Sequence, residues 1–175
     1  MKYFDELVRS MDYLSSFDNT IFLAQACKYK GTAMTNTLKN VPDSKKLEMI
    51  VSEDFQAGIA NGFALAGQVP ISIFPRFDFM IHAAPQIINM LDRFPEMMSQ
   101  KTKVIIRTGV GSRIPLNPHC QHYNDHTDAF KKLLRNIEVI KLEKPEQIFP
   151  SYEYAYHRND GKSTLLVEIS DNYNK

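Results

Sequence analysis

Ser52-Glu53-Asp54-Phe55-Gln56-Ala57-Gly58-Ile59-Ala60-Asn61-Gly62-Phe63-Ala64-Leu65-Ala66-Gly67 is the stretch on which the reading of the fold turns. An apolar, strand-like run at 47–51 leads into it and a second, at 70–74, follows it. Ser52 stands where an N-cap belongs, and Glu53 and Asp54 place negative charge at the positive end of a helix dipole. Ala57, Gly58, Ala60, Gly62, Ala64 and Ala66 leave that helix with little side chain. Gly58 and Gly62 lie four apart, on one face, and each costs about 1 kcal/mol of helix propensity relative to Ala. Such a face predicts a neighbour packed very close. A carboxylate at a strand-to-helix junction is also where open α/β sheets build sites. A plainer reading uses the same residues: Glu53 favours the helix terminus, and the small residues let the helix lie against its own sheet.

Outward from this stretch the chain alternates. Phe4, Leu7, Val8, Met11 and Leu14 recur at helical spacing, predicting an amphipathic helix over 2–17. A strand at 20–24 follows, then a polar, irregular stretch at 25–46 with one helical turn near 33–38. Strand 47–51 leads to helix 54–66, strand 71–74 to helix 78–92, and strand 104–107 to a long loop of Gly, Pro, Asn and His. Helix 127–135, strand 138–142, helix 145–157 and strand 164–169 complete the order. Alternation of this kind predicts right-handed βαβ units: an α/β fold of three layers, doubly wound, with a mainly parallel sheet and helices on both faces. Residues 1–175 read as a single domain with no internal linker.

Bulk properties narrow the function. The 175 residues are 43% hydrophobic and 23% charged, which suits a globular domain rather than a disordered one. A formal net charge of +1 without a basic cluster argues against nucleic acid or a membrane surface as partner. No apolar run approaches the roughly 20 residues of a membrane span, and the start does not read as a signal peptide. Two isolated cysteines, Cys27 and Cys120, form no disulfide framework and fit a reducing, cytoplasmic setting.

Several motifs taken together resemble the pyrimidine-binding domain of thiamine-diphosphate-dependent, transketolase-like enzymes. The nearest likeness is to the beta subunit of the 2-oxoacid dehydrogenase decarboxylating component. Glu53, Gly58, Ala60, Gly62, Ala66 and Gly67 fall on the family's glutamate-helix motif. Phe77-Asp78-Phe79 with Gln86-Ile87-Ile88-Asn89 falls on its aromatic motif and the helix after it. Val104 to Thr108 with Gly109 and Gly111 is similar to the next strand and glycine loop, and His119-Cys120-Gln121 lies where the beta subunits carry His-Ser-Gln. The resemblance covers most of the chain.

What it implies is specific. Glu53 would hydrogen-bond a ring nitrogen of the aminopyrimidine and favour the imino tautomer, whose nitrogen takes the thiazolium proton and so generates the ylid. A buried carboxylate suits that proton sharing. Phe79, with Phe77 beside it, would give the pyrimidine a flat apolar wall; ordinary core packing is the other reading of both rings. His119 would act near the reacting carbons, making it the second catalytic candidate after Glu53. The loop around it has two further readings. His119, Cys120, His122 and His126 include zinc-ligand types, though at no structural-zinc spacing, and they equally suit a solvated loop.

Three departures from the family matter. Residues 1–175 are expected to lack the second, C-terminal domain that helps the beta subunits assemble. Near the end of the first strand, where the family usually has an acid, this chain has Gln25, which bears on a hydrogen bond or proton relay at the cofactor. The Gly-Asp-Gly motif and later Asn that hold the diphosphate and its Mg²⁺ are absent; Asn159-Asp160-Gly161 reads as a turn before the last strand. The resemblance therefore implies half of an active site, in a hetero-oligomer whose separate diphosphate-binding subunit carries Gly-Asp-Gly and Asn. Decarboxylation of a small 2-oxoacid with acyl or aldehyde transfer is the favoured chemistry. Transketolase-type two-carbon transfer from a ketose is the alternative, and a non-catalytic subunit of the same fold is another. A flavodoxin-like nucleotide module has no glycine-rich phosphate loop after the first strand to support it.

Overall fold

Alternation along the last strand decides how the sheet is covered. Leu165 and Val167 face one core and Leu166 the other, all fully buried, as a parallel sheet between two helical layers requires. The structure, a computed structural model, describes residues 2–29, 32–113 and 117–174. Its strands are β1 (Thr20–Ala24), β2 (Lys46–Glu48), β3 (Val69–Phe74), β4 (Ile105–Val110), β5 (Glu138–Leu142) and β6 (Thr164–Ile169). They form one six-stranded sheet in the order β2-β1-β3-β4-β6-β5, with every pairing parallel. Pro70, in β3, is tolerated because the ladder to β4 begins only at Ile71.

Helices α1 (Tyr3–Ser15) and α7 (Pro145–His157) cover one face, where Leu7, Met11, Ile148 and Tyr152 meet Phe22, Ile71 and Leu166. Helices α3 (Glu53–Leu65) and α6 (Thr127–Leu133), with the segment 77–97, cover the other. A short helix, α2 (Ala33–Asn36), lies in the polar stretch after β1. The expected three-layer doubly wound α/β fold is therefore present, with a sheet that is wholly rather than mainly parallel. Among the described residues no helix is long and apolar enough to cross a membrane.

Within α3 the small residues divide by face. Ala57, Ala60 and Ala64 are buried against the sheet. Gly58 and Gly62 face elsewhere: a Cβ at Gly62 would meet nothing within 4 Å, and one at Gly58 only the Gln86 side chain at 3.8 Å. Both readings of the sequence thus hold in part, since the alanines serve the sheet, while the close neighbour predicted for the glycines is not supplied by the described residues of this chain. Ser52 does occupy the N-cap, in extended backbone, but its hydroxyl makes no capping bond.

Two predicted elements differ. The strand expected at 47–51 ends at Glu48; Met49 N–H still reaches Ala24 O at 3.0 Å, and Ser52 N–H then bonds Ile50 O at 2.8 Å in a tight turn. Apolarity misled there because Ile50 and Val51 are 65% and 84% exposed. The single helix expected at 78–92 is a broken one running from α4 (Phe77–Met80) through 3₁₀ turns and a π turn (Pro85–Met90) to α5 (Phe94–Met97). Pro85 and Pro95 explain the breaks, since neither can donate to the carbonyl four residues back and each ring clashes with it.

One polar network lies wholly inside. Arg107 on β4 and Glu168 on β6 are fully buried and paired through Nε–Oε1 and through Nη2–Oε2 at 3.0 Å. Tyr152 donates to Glu168 Oε1 at 2.5 Å and Tyr173 donates to Oε2. Burial raises the phenol pKa of both tyrosines, and the Glu168 charge raises them further.

Candidate active site

The strand order places a switch point between β1 and β3, because the chain leaves β1 for β2 on one side and reaches β3 on the other. Crevices at the carboxyl ends of such strands are where open parallel sheets bind ligands. Gln25 directly follows β1, Glu53 opens α3, and Pro75 and Arg76 directly follow β3.

Gln25 Nε2 donates to Glu53 Oε1 at 3.2 Å, and Oε2 takes no hydrogen bond from the described residues. Glu53 is half-buried. One turn further, Gln56 is fully buried, and its Nε2 lies 3.3 Å from Leu23 O, 2.9 Å from Ile73 O and 3.2 Å from Ser72 Oγ. This amide bolts the first turn of α3 to the ends of β1 and β3, and so sets where Glu53 stands. Its own Oε1 is buried with no partner among the described residues. Sequence reasoning passed over Gln56; its signal was a polar residue three positions after Glu53, on the helix face that the alanines send to the sheet.

Beside this junction is a cavity of about 410 Å³. Met34, Phe79, Pro118 and Tyr173 give it apolar walls, and Arg76, Ser112, His122 and Ser170 give it polar groups. Thr32, Met34 and Pro75 also line a narrower crevice that reaches Ala24 and Gln25, so the two spaces adjoin. Just after Gln25, the half-buried Glu48 carboxylate grips the chain: it accepts from Ala26 N–H, Lys28 N–H and the Cys27 thiol, with Ala26 at a φ of 57°. Burial, aided by Glu48, pushes the Cys27 thiol up to about 12.

The far wall is a loop held by α4. Arg76 Nη1 donates to Gly111 O at 2.7 Å and His122 O at 2.8 Å. Asp78 accepts from Asn124 N–H (3.2 Å), Asn124 Nδ2 (2.7 Å) and His126 Nε2 (3.2 Å). Burial pushes the Asp78 carboxyl up, but the hydrogen bonds from Asn124 and His126 outweigh it and hold the group below its ordinary value. For Arg76, burial presses the guanidinium down and Asp78 partly offsets that.

The predicted site residues separate accordingly. Gln25 and Glu53 touch, and Phe79 lines the adjoining cavity. Phe77 does not: it is fully buried in the core, edge-on to Phe130 at 5.1 Å and to His126 at 5.5 Å. His119 is exposed, at a φ of 52°, and lies with Arg113, Asn117, Cys120 and Tyr123 around a separate depression. His122 is the histidine that lines the cavity, its ring 4.7 Å from that of Phe79 and its Nδ1 buried without a partner among the described residues. The four zinc-type side chains of this loop diverge, and among the described residues no three His, Cys, Asp or Glu side chains come together as metal ligands do. Asp160 closes the turn before β6, gripped at both oxygens by Arg158, which holds its carboxyl far below the usual range.

No family model matches the chain, and no curated protein matches it. Solved structures do. A split-gene transketolase, an inactive beta4 tetramer, is similar at TM-score 0.71 and 14% identity over 94% of this chain and 50% of that one. Transketolase from Campylobacter jejuni subsp. jejuni NCTC 11168 is similar at TM-score 0.73 and 16% identity, over 94% of this chain and 25% of that one. A protein from Mycobacterium smegmatis assigned to the thiamin diphosphate-dependent enzymes is similar at TM-score 0.64 and 16% identity, over 97% and 30%. The chain thus spans half or less of each of these proteins, and the fold is transketolase-like.

Proposed function

We propose that this chain is the pyrimidine-binding half of a split thiamine-diphosphate enzyme acting on a small 2-oxoacid. The observation that carries the reading is the Gln25–Glu53 contact at the switch point, beside a cavity walled by Phe79. The residues present fit the aminopyrimidine end of the cofactor: a carboxylate with one oxygen held and the other available, an aromatic ring, and an apolar cavity. They do not fit its charged end, for which a partner subunit with Gly-Asp-Gly and Asn would hold the diphosphate and Mg²⁺. When bound, thiamine diphosphate supplies the electron sink that lets a bond to a carbonyl carbon break.

The chain's own residues have these roles. With the cofactor bound, Glu53 would hydrogen-bond the pyrimidine ring nitrogen and share its proton. Gln25 orients Glu53 but cannot pass that proton on, since an amide neither gains nor loses one near neutrality. Gln56 positions both through the strand carbonyls. Phe79 provides the wall, and Met34 and Pro118 exclude water. His122 donates to or orients the substrate at the cavity side, the role that the sequence resemblance had suggested for His119.

The exposed apolar and glycine face of α3, with Ile50, Val51 and Phe55 beside it, is the surface proposed for the partner subunit. The similarity to a split-gene transketolase structure, an inactive beta4 tetramer, supports a chain that is inactive without its partner. Two transketolases among the similar structures favour two-carbon ketol transfer as the second reading.

The test is Glu53→Gln in the enzyme reconstituted with its partner. Size and hydrogen bonding are kept while the shareable proton is lost, so turnover should fall by at least about 10²-fold with the thermal midpoint of the isolated chain unchanged. An unaltered rate would reduce Glu53 to a helix-terminus residue.

A further inference from the structure

Arg76 is a cation that makes no ion pair with the described residues, Asp78 acting on it only from a distance. Its Nη1 is committed to two carbonyls, Gly111 O and His122 O, which hold the guanidinium plane in position. Among the described residues, no carboxylate lies within ion-pair distance of it, and Nε and Nη2 make no hydrogen bond. The nearest acid in sequence, Asp78, has its oxygens occupied by Asn124 and His126. The group is half-buried and borders the 410 Å³ cavity, whose lining includes no acidic residue.

Other donors converge on the same space. The Ser112 and Ser170 hydroxyls line it and make no hydrogen bond to the described residues, and His122 presents a buried Nδ1 with no partner there. Phe79 and Pro118 line the same space. A half-desolvated, pre-positioned guanidinium with free donors favours an oxyanion, because its charge is poorly screened and its fork geometry matches two oxygens. A neutral ligand would leave both the charge and the free donors uncompensated.

We infer that Arg76 is the specificity-determining residue of this cavity, binding the terminal oxyanion of a small substrate, a carboxylate or a phosphate, while Ser112, Ser170 and His122 take its remaining polar atoms. The inference rests on the thiamine-diphosphate reading for the identity of the reaction but not for the binding itself. It adds a discriminating contact: the substrate enters charged end first toward Arg76, with its carbonyl toward Phe79.

The full chain is titrated with pyruvate, with inorganic phosphate and with neutral hydroxyacetone, following the Arg76 Nε–H resonance by NMR. Saturable shifts with pyruvate alone indicate a carboxylate site, and with phosphate alone a phosphate-ester site; either supports the inference, provided hydroxyacetone gives none. Arg76→Ala should abolish the shifts at the neighbouring Gly111 and Ser112 amides. Because that change also frees the loop, Arg76→Lys is the deciding variant: it retains the charge, loses the fork, and should weaken binding about tenfold or more with the amide spectrum otherwise preserved. No saturable shift with either anion at millimolar concentration, or binding unaltered in Arg76→Lys, overturns the inference. If anion binding holds but the reconstituted enzyme shows no thiamine-diphosphate-dependent turnover, the functional reading fails and the anion site stands. If turnover appears and Arg76→Lys leaves the substrate KM unchanged, the reverse is true.

Discussion

Gln25 and Glu53, 28 residues apart in the chain, meet amide to carboxylate at 3.2 Å where β1 ends and α3 begins. An acid at position 25 would share a proton with Glu53; the amide can only donate to it. That difference is directly testable.

Gln25→Glu should place two carboxylates in hydrogen-bond contact. Both cannot ionise cheaply, so the pair is expected to titrate in two steps, the upper one well above the ordinary carboxylate range. A carboxyl whose folded pKa is raised contributes stability at low pH that is lost as pH rises through that upper step. Side-chain ¹³C NMR across the acid range reads the steps. Two ordinary, independent titrations would mean that residues 25 and 53 do not touch in solution.

Substituting the two loop histidines separates the cavity from the depression beside it. His122→Ala is expected to slow turnover of the reconstituted enzyme by about 10²- to 10⁴-fold, the usual loss for a proton-transferring or orienting group. His119→Ala, at an exposed position, should leave the rate nearly unchanged. The opposite ranking would return the catalytic role to His119 and show that the loop rearranges when the partner binds.

Glu168→Gln tests the interior. Removing the carboxylate charge leaves Arg107 buried without its counterion, which typically costs about 3–5 kcal/mol, and weakens the bonds from Tyr152 and Tyr173. Urea denaturation should show the midpoint falling with no change in slope. The double variant Arg107→Met/Glu168→Leu, which removes both charges, should recover part of the loss; if it is as unstable as the sum of its single changes, the pair is not coupled as drawn.

The His122–His126 loop should come loose only in strong acid. Hydrogen bonds from Asn124 and His126 hold the Asp78 carboxyl below its ordinary value of 3.8. A depressed acid contributes stability that is present above the unfolded value and lost as pH falls through the folded one. The Asn124 amide, bonded to Asp78 Oδ2 at 3.2 Å, should therefore keep its NMR shift from neutrality down past pH 3.8 and move below it. Release of that amide near neutral pH would assign the anchoring to another group.

Much of this architecture is legible in residue order, because it rests on short-range rules. Apolar runs marked the strands, helical spacing marked the first helix, and the acidic first turn of α3 placed Glu53 at its start. Where local rules misled, a competing local rule or an exposure decided otherwise. Pro85 broke a helix that was expected to run unbroken over 78–92. Ile50 and Val51 read as strand because apolarity alone cannot tell a buried run from an exposed one.

The sequence by itself determined the α/β class, the order of elements along the chain and the carboxylate at a strand-to-helix junction, since each is a property of neighbours along the chain. Only the tertiary structure decided that Glu53 stands at the switch point of the sheet, which of two phenylalanines lines a cavity, which of two histidines does, and that Arg76 lines it without an ion pair from the described residues. Phe77 and Phe79 differ by two positions on a short helical turn, and His119 and His122 by three on an irregular loop, so no periodicity could sort them. Their placement follows from long-range contacts, Arg76 to Gly111 and His122, Asp78 to Asn124 and His126, and those exist only once the sheet has brought the ends of β3 and β4 together.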